Sequence, residues 1–342
     1  MNTREMLARA AALFGPSGQE TEAAAWFGEQ IRPFVDGISA DRMGNVIARR
    51  GGKDPRVMLC AHTDEIALMV SGFFSDGGLR LEHIGGIDDR TLPSARVIVH
   101  TSEGELPGVI LPREKGENGD QCFPLKGLAV ETGLTVEEAK KKIRVGDAVT
   151  FDAPAVNLLG ERIAAKTMDN RACGVLLVKT AELLAGKQYP AELQYVFTSQ
   201  EEVGERGAAA AAFALQPELA VVLDADHGPI PGDKPDTTIP MDRMNIAVGP
   251  FLQPELAKRV MKLAEKKKIP LSVAAVNGDT GTDADLVGIS RGGVPCVLLS
   301  LPLRYMHTTV ETVDAAVLEQ GAALLADFLM SLDESWEAEL WS

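Results

Sequence analysis

Residues 57–65, VMLCAHTDE, run as five unbroken apolar positions and then four polar ones. An apolar run of that length without alternation marks a β-strand covered on both faces, as in a parallel sheet flanked by helices. A similar run recurs at Leu219–Leu223 (LAVVL), and Leu193–Thr198, Leu271–Val276 and Val294–Ser300 (VPCVLLS) also read as strands. Helical periodicity fills the intervals, at Asn170–Leu184, Gly207–Leu215, Leu252–Lys268 and Asp314–Met330, and earlier at Met1–Leu13 and Glu20–Ile31. Strands spaced by helices of this length imply βαβ units. The expected fold class is α/β, a mostly parallel central sheet with helices on both faces.

The middle of the chain reads differently. From about Met69 to Leu159 the segments are short and turn-rich. Val97–Val109 reads as a hairpin turning at Ser102-Glu103-Gly104. Thr135, with Glu138 three residues on, opens a helix to Ile143 through a capping box. The expected organisation is a discontinuous catalytic domain, 1–68 and 160–342, interrupted by a small β-rich domain at 69–159 that serves oligomerisation.

Composition narrows the function. The 342 residues are 45% hydrophobic and 24% charged, which is globular rather than disordered. No stretch approaches the roughly 18 apolar residues of a membrane span, and the N-terminus has no signal-peptide h-region. The formal charge of −15 argues against nucleic acid as a partner. Four scattered cysteines (Cys60, Cys122, Cys173, Cys296) without a C-x-x-C pair suggest a reducing compartment. A soluble cytoplasmic enzyme, with neither membrane nor nucleic acid as partner, is expected.

Polar residues cluster where the apolar runs end: His62-Thr63-Asp64-Glu65, Ser199-Gln200-Glu201-Glu202, Asp224, and a loop from Leu301 to Thr308 with Arg304 and His307. Asp169 immediately precedes its helix. Open parallel sheets bind ligands beyond the carboxyl ends of their strands, so these residues converge on one edge. Imidazole and carboxylate without thiolate suit zinc, cobalt or manganese. Two cations about 3.5–4 Å apart need a bridging carboxylate and private ligands on each side. The set fits that count, with His62 and Asp224 on one ion, Glu202 and His307 on the other, and Asp169 between. Asp64 shares a strand face with His62 and can orient its ring. Of the neighbours Glu201 and Glu202, one can bind metal while the other serves as general base. Taken singly, each residue has an ordinary reading: a loop histidine, a solvated Glu pair, a helix N-cap at Asp169, a turn at Asp224. His83, His100 and His227 are assigned no role, and Cys60 and Cys296 are read as inert core.

The segments AHTDE, KTMDNRACG, QEEVGERGA, VVLDAD, GTDAD and PLRYMHTTVETVD resemble, in order, the motifs of metallopeptidase family 42, the glutamyl, deblocking and tetrahedral aminopeptidases. GPSGQE (15–20) and LAVETGLTVEEAKKKIRVGDAVTF (128–151) are similar to further segments of that family. The resemblance implies two divalent metal ions on His62, Asp169, Glu202, Asp224 and His307, with Glu201 as base and Asp64 as orienting residue. It also implies short peptides as substrate and homo-oligomers from dimer to dodecamer. Cys173 and Thr308 replace residues common in the family, and the stretch from His227 to Asp236 departs from its usual sequence. Asp283 is read as turn-forming, and Arg304 as a substrate contact or a brace for the acidic cluster. In related families 20 and 28 the first His and the bridging Asp lie much closer than positions 62 and 169 do here. An N-deacylase or carboxypeptidase, an endoglucanase and a non-catalytic metal-binding protein are the alternatives.

Overall fold

The computed structural model describes residues 1–113, 123–234, 237–332 and 336–340. Helices α1 (Thr3–Ala12) and α2 (Thr21–Ile31) come first. Asn2 and Glu5 cap α1 reciprocally, each side chain taking the other's backbone N–H. Strands β1 (Gly37–Ala40), β2 (Val46–Gly51) and β3 (Arg56–His62) follow. Next come β4 (Ala67–Phe73), β5 (Leu79–Ile84), β6 (Arg96–Thr101), β7 (Gly104–Pro112), β8 (Leu128–Glu131), helix α3 (Val136–Lys142) and β9 (Ala148–Phe151). The chain continues through β10 (Val156–Asn157), β11 (Arg162–Ala165), α4 (Met168–Leu184), β12 (Glu192–Thr198), α5 (Arg206–Leu215), β13 (Leu219–His227) and β14 (Met244–Val248). It ends with α6 (Pro254–Lys267), β15 (Leu271–Ala275), α7 (Ala284–Gly288), β16 (Cys296–Leu303), β17 (Glu311–Asp314) and α8 (Ala315–Ser331).

The main sheet has the order β1-β2-β12-β3-β13-β16-β14-β15. Its centre, β12-β3-β13-β16, is parallel throughout, as expected. The flanks are not: β2 runs antiparallel to β12, and β14 antiparallel to β16. One apolar layer joins Leu7, Phe27, Leu176 and Leu325 beneath α1, α2, α4 and α8. A smaller one joins Met58, Val222, Ala212 and Val287 beneath α5 and α7 on the other face. Apolar side chains on both sides explain why β3 and β16 read as continuous runs. β16 begins two residues later than its apolar run, because Pro295 has no N–H for the ladder. Pro254 stands in the first turn of α6, where a missing N–H costs nothing.

The β-rich middle closes into a six-stranded barrel, β4-β5-β8-β7-β6-β9, with every neighbouring pair antiparallel. Val70, Leu81, Val99, Ile110 and Val149 fill its interior. Closure leaves no free sheet edge. The β6–β7 hairpin turns on Ser102–Glu103, with Gly104 already paired to Thr101. The capping box of α3 is present as read, Thr135 with Glu138. β10 lies outside the barrel, paired through β11 to β17. Among the described residues no helix is long and apolar enough to cross a membrane. Trp336 is buried against the main core, while Trp341 and Cys122 lie outside the described residues.

Candidate metal centre

Because β12, β3, β13 and β16 run the same way, their carboxyl ends deliver side chains to one edge. His62 ends β3, and Asp224 lies on β13 opposite Ser300. Glu201 and Glu202 follow β12, and His307 follows β16. Asp169 sits at the start of α4, at a kink where its own φ/ψ and those of Asn170 are non-helical. His62 Nε2 lies 3.3 Å from Asp169 Oδ1 and 3.8 Å from both Asp224 Oδ1 and Glu201 Oε2. His307 Nε2 lies 3.2 Å from Asp169 Oδ2 and 3.3 Å from Glu202 Oε1. Beside a group of His62, Glu201 and Glu202, two ligand-like groups share Asp169: His62–Asp169–Asp224 and Asp169–Glu202–His307. Both could hold a cation.

Charge at this edge is unbalanced, carboxylates outnumbering imidazoles. Burial pushes the Glu201 carboxyl up to about 10, opposed by His62 and reinforced by the charges of Asp224, Asp283 and Glu202. Burial likewise raises Glu202 and Asp224. Burial also disfavours ionisation of Asp169, yet pairing with His307 and His62 holds it below the ordinary range. The same pairing keeps His307 charged up to about 11 against the effect of burial, and raises His62. Such a cluster gathers positive charge from whatever source is at hand, protons or cations.

Asp64 does more than face the His62 ring, whose Nδ1 lies 3.3 Å away without a well-aligned hydrogen bond. Its carboxylate accepts the backbone N–H groups of Glu201 (3.1 Å) and Glu202 (3.2 Å) and the Ser17 hydroxyl (2.6 Å). Asp64 therefore fixes the loop that carries both glutamates. Glu20, on the same N-terminal turn as Ser17, accepts the Gln200 N–H at 3.0 Å. Glu311, part of the PLRYMHTTVETVD segment but given no role from the sequence, accepts the N–H of Asp169 (2.9 Å) and of His307 (2.7 Å) on its two oxygens. It thus holds two residues of the centre in register with one carboxylate.

Behind the centre, Glu65 is buried against Lys166 (2.5 Å) and Arg171 (3.3 Å). Arg171 is fully buried and donates to the carbonyl oxygens of Thr63, Ala10 and Leu13. A Cβ on Gly15 would meet its guanidinium at 2.8 Å, which is why that turn begins with glycine. Arg171→Ala would leave three carbonyls without their donor and Glu65 with Lys166 as its remaining cation, and is expected to cost about 3–5 kcal/mol. A urea-unfolding midpoint equal to that of the parent would remove this role.

Glu201, Glu202, His62, Asp169, Asp224 and His307 line a cleft of about 270 Å³. The backbone around them is constrained: Thr167, Gln200 and His307 have φ of 63°, 56° and 59°, values that surrounding contacts must enforce. The barrel reaches the cleft too. A Cβ on Gly85, which follows β5, would meet Glu202 Cβ at 3.2 Å. Asp283, read as turn-forming, lies in the turn before α7 and is also buried; it takes the Thr198 hydroxyl at 2.6 Å and leaves Oδ1 unpaired. His227, assigned no role, lines the cleft. His83 and His100 sit elsewhere, against Asp89 and Thr150, and Cys60 and Cys296 are core. Arg304 is not among the cleft-lining residues; its backbone pairs with Thr312 and its Nε has no hydrogen-bond partner.

A sequence profile described as M42 glutamyl aminopeptidase matches residues 44–324. The chain is 33% identical over 310 residues to the lysyl aminopeptidase of Pyrococcus furiosus, covering 88% of this chain and 89% of that one. The solved structure of an aminopeptidase from the archaeon Desulfurococcus kamchatkensis superposes with a TM-score of 0.93 at 30% identity, over 99% of this chain and 98% of the other. The TET1 peptidase of Pyrococcus horikoshii, described as assembling into a tetrahedron or a large octahedral shell, does so with 0.85 at 28% identity, over 97% and 100%. With a profile matching most of its length and an aminopeptidase fold nearly end to end, the chain belongs to the M42 glutamyl aminopeptidase family and is a peptidase.

Proposed function

We propose that the protein is a di-metal aminopeptidase that removes N-terminal residues from peptides. One observation carries the reading: Asp169 offers one oxygen to each side, Oδ1 at 3.3 Å from His62 Nε2 and Oδ2 at 3.2 Å from His307 Nε2. That is the arrangement of a bridging carboxylate. His62 and Asp224 would hold one divalent cation, Glu202 and His307 the other. The donor set fits, since buried carboxylates in excess of imidazoles need compensating charge, and nitrogen with oxygen suits zinc, cobalt or manganese. When bound, the cations supply Lewis acidity that polarises the scissile carbonyl and acidifies the attacking water.

The chain's own residues supply the rest. Glu201, on a backbone fixed by Asp64, takes the proton of the attacking water at its carboxylate and delivers it to the leaving amine. Asp64 and Glu311 orient their neighbours and do not touch substrate. A two-carboxylate glycosidase would leave both imidazoles without a role. The setting that fits is a cytoplasmic homo-oligomer assembled through the barrel; the shells described for the TET1 relative support the oligomer.

Aminoacyl-p-nitroanilides, free or N-acetylated, test the reading after chelation and readdition of zinc, cobalt or manganese. Cleavage confined to free-amino substrates, lost with chelator and restored by metal, is the expected result. Activity on blocked substrates alone would assign an N-deacylase instead.

A further inference from the structure

The cleft extends beyond the residues that the chemistry needs. β13 carries Asp224 and, two residues on, Asp226, so both point to the same face. Their spacing along the strand is about 6.6 Å, on the scale of an extended four-carbon lysine stem. The cleft lining also includes small and apolar side chains, Ala247, Ala274, Val276 and Leu298. Asp226, half-buried, and Asp279, exposed, also line the cleft. Neither belongs to any of the ligand-like groups.

No lysine or arginine is among the described residues that line this cleft. Asp226 is half-buried, and its carboxylate takes one short hydrogen bond, from the His227 N–H at 2.6 Å. Glu205 lies near Asp279, adding negative potential there, and the turn bearing Asp279 is pinned by Thr280 and Gly281 donating to Asp285. His227 is exposed.

We infer that this part of the cleft receives the side chain of the substrate's first residue and selects a cationic one, lysine or arginine. The inference rests on the aminopeptidase reading. An alkyl stem packs on the alanine, valine and leucine lining while the ammonium or guanidinium meets Asp226 and Asp279. A leucyl side chain packs on the apolar lining but leaves the half-buried Asp226 carboxylate without a cationic partner, and a glutamyl side chain adds a third negative charge. Selection by such unpaired groups is worth more than selection by size alone.

The test compares kcat/KM of the metal-loaded enzyme on lysyl-, Nε-acetyllysyl-, leucyl- and glutamyl-p-nitroanilide. The expected order puts lysyl at least about tenfold above its acetylated form, which keeps the stem and removes the charge, with glutamyl last. Equal rates on lysyl and acetyllysyl, or a lead for leucyl or glutamyl, overturn the inference and leave the aminopeptidase intact. Failure to cleave any free-amino substrate overturns both. In Asp226→Asn the lysyl-to-leucyl ratio is expected to fall by about tenfold or more. An unchanged ratio, every substrate losing alike, would place Asp226 on the α-amine common to all substrates and overturn its assignment.

Discussion

Glu201→Gln is expected to retain two metal ions per chain and to lose about 10²–10⁴-fold in kcat, the usual contribution of one proton-transferring side chain. The amide matches the carboxylate in shape, so the loop held by Asp64 through the Glu201 and Glu202 N–H groups keeps its geometry. What the amide lacks is the ability to take a proton. Glu201 is 8% exposed and lines the cleft; it lies outside the two groups that share Asp169, although it forms a third candidate group with His62 and Glu202. Metal analysis beside steady-state kinetics separates the two effects. A kcat within a few-fold of the parent would remove Glu201 as the base, and loss of metal would move it among the ligands.

Asp169→Asn should act on metal content itself. An amide presents one acceptor oxygen where the carboxylate presents two, and it carries no charge. One of the two groups built on Asp169 then lacks an oxygen, and both lose a negative charge. Occupancy after dialysis against a weak chelator is expected to fall from two ions to fewer than one, with activity falling at least about a hundredfold. The substitution keeps the backbone N–H that binds Glu311 and keeps the side-chain volume. Two ions retained under the same dialysis would show that Asp169 does not bridge.

Both predictions concern residues that stand out in the sequence, and the reason is local. His62, Glu202 and Asp224 each end or follow a continuous apolar run, and an apolar run that stops at a polar residue can be read without knowing its neighbours. Asp169 and His307 are legible for the same reason, one beside a helix start and one beyond a strand. The residues that hold them in place are not. Glu311 acts by accepting two N–H groups, one of them from position 169, and no pattern around 311 announces that pairing. Arg171 has the look of a surface residue on a helix, yet its partners lie at positions 10, 13, 63 and 65. The fold divides along the same line. The central parallel strands are legible from apolar content, whereas β2 escapes because its second half, Arg49-Arg50-Gly51, is polar and flanks the sheet. Short turn-rich strands mark the middle of the chain as β-rich, but whether they close into a barrel depends on which strand meets β9, and that meeting leaves no mark in sequence.

The barrel and the sheet also place different demands on a chain being synthesised. Every strand partner that the barrel requires is encoded between Ala67 and Phe151, so its pairings are complete once that stretch is made. β3 precedes it by a few residues, yet its neighbours β12 and β13 come more than a hundred positions later, and β16 later still. Long-range pairing of that kind is slow, and at about 5–20 residues per second the wait is many seconds. During that time the apolar strand VMLCA has no partner, and a finished barrel stands directly downstream of it. The chain thus emerges with its closed unit first and an aggregation-prone segment held open beside it, which makes β3 the place where early chaperone engagement has most to protect.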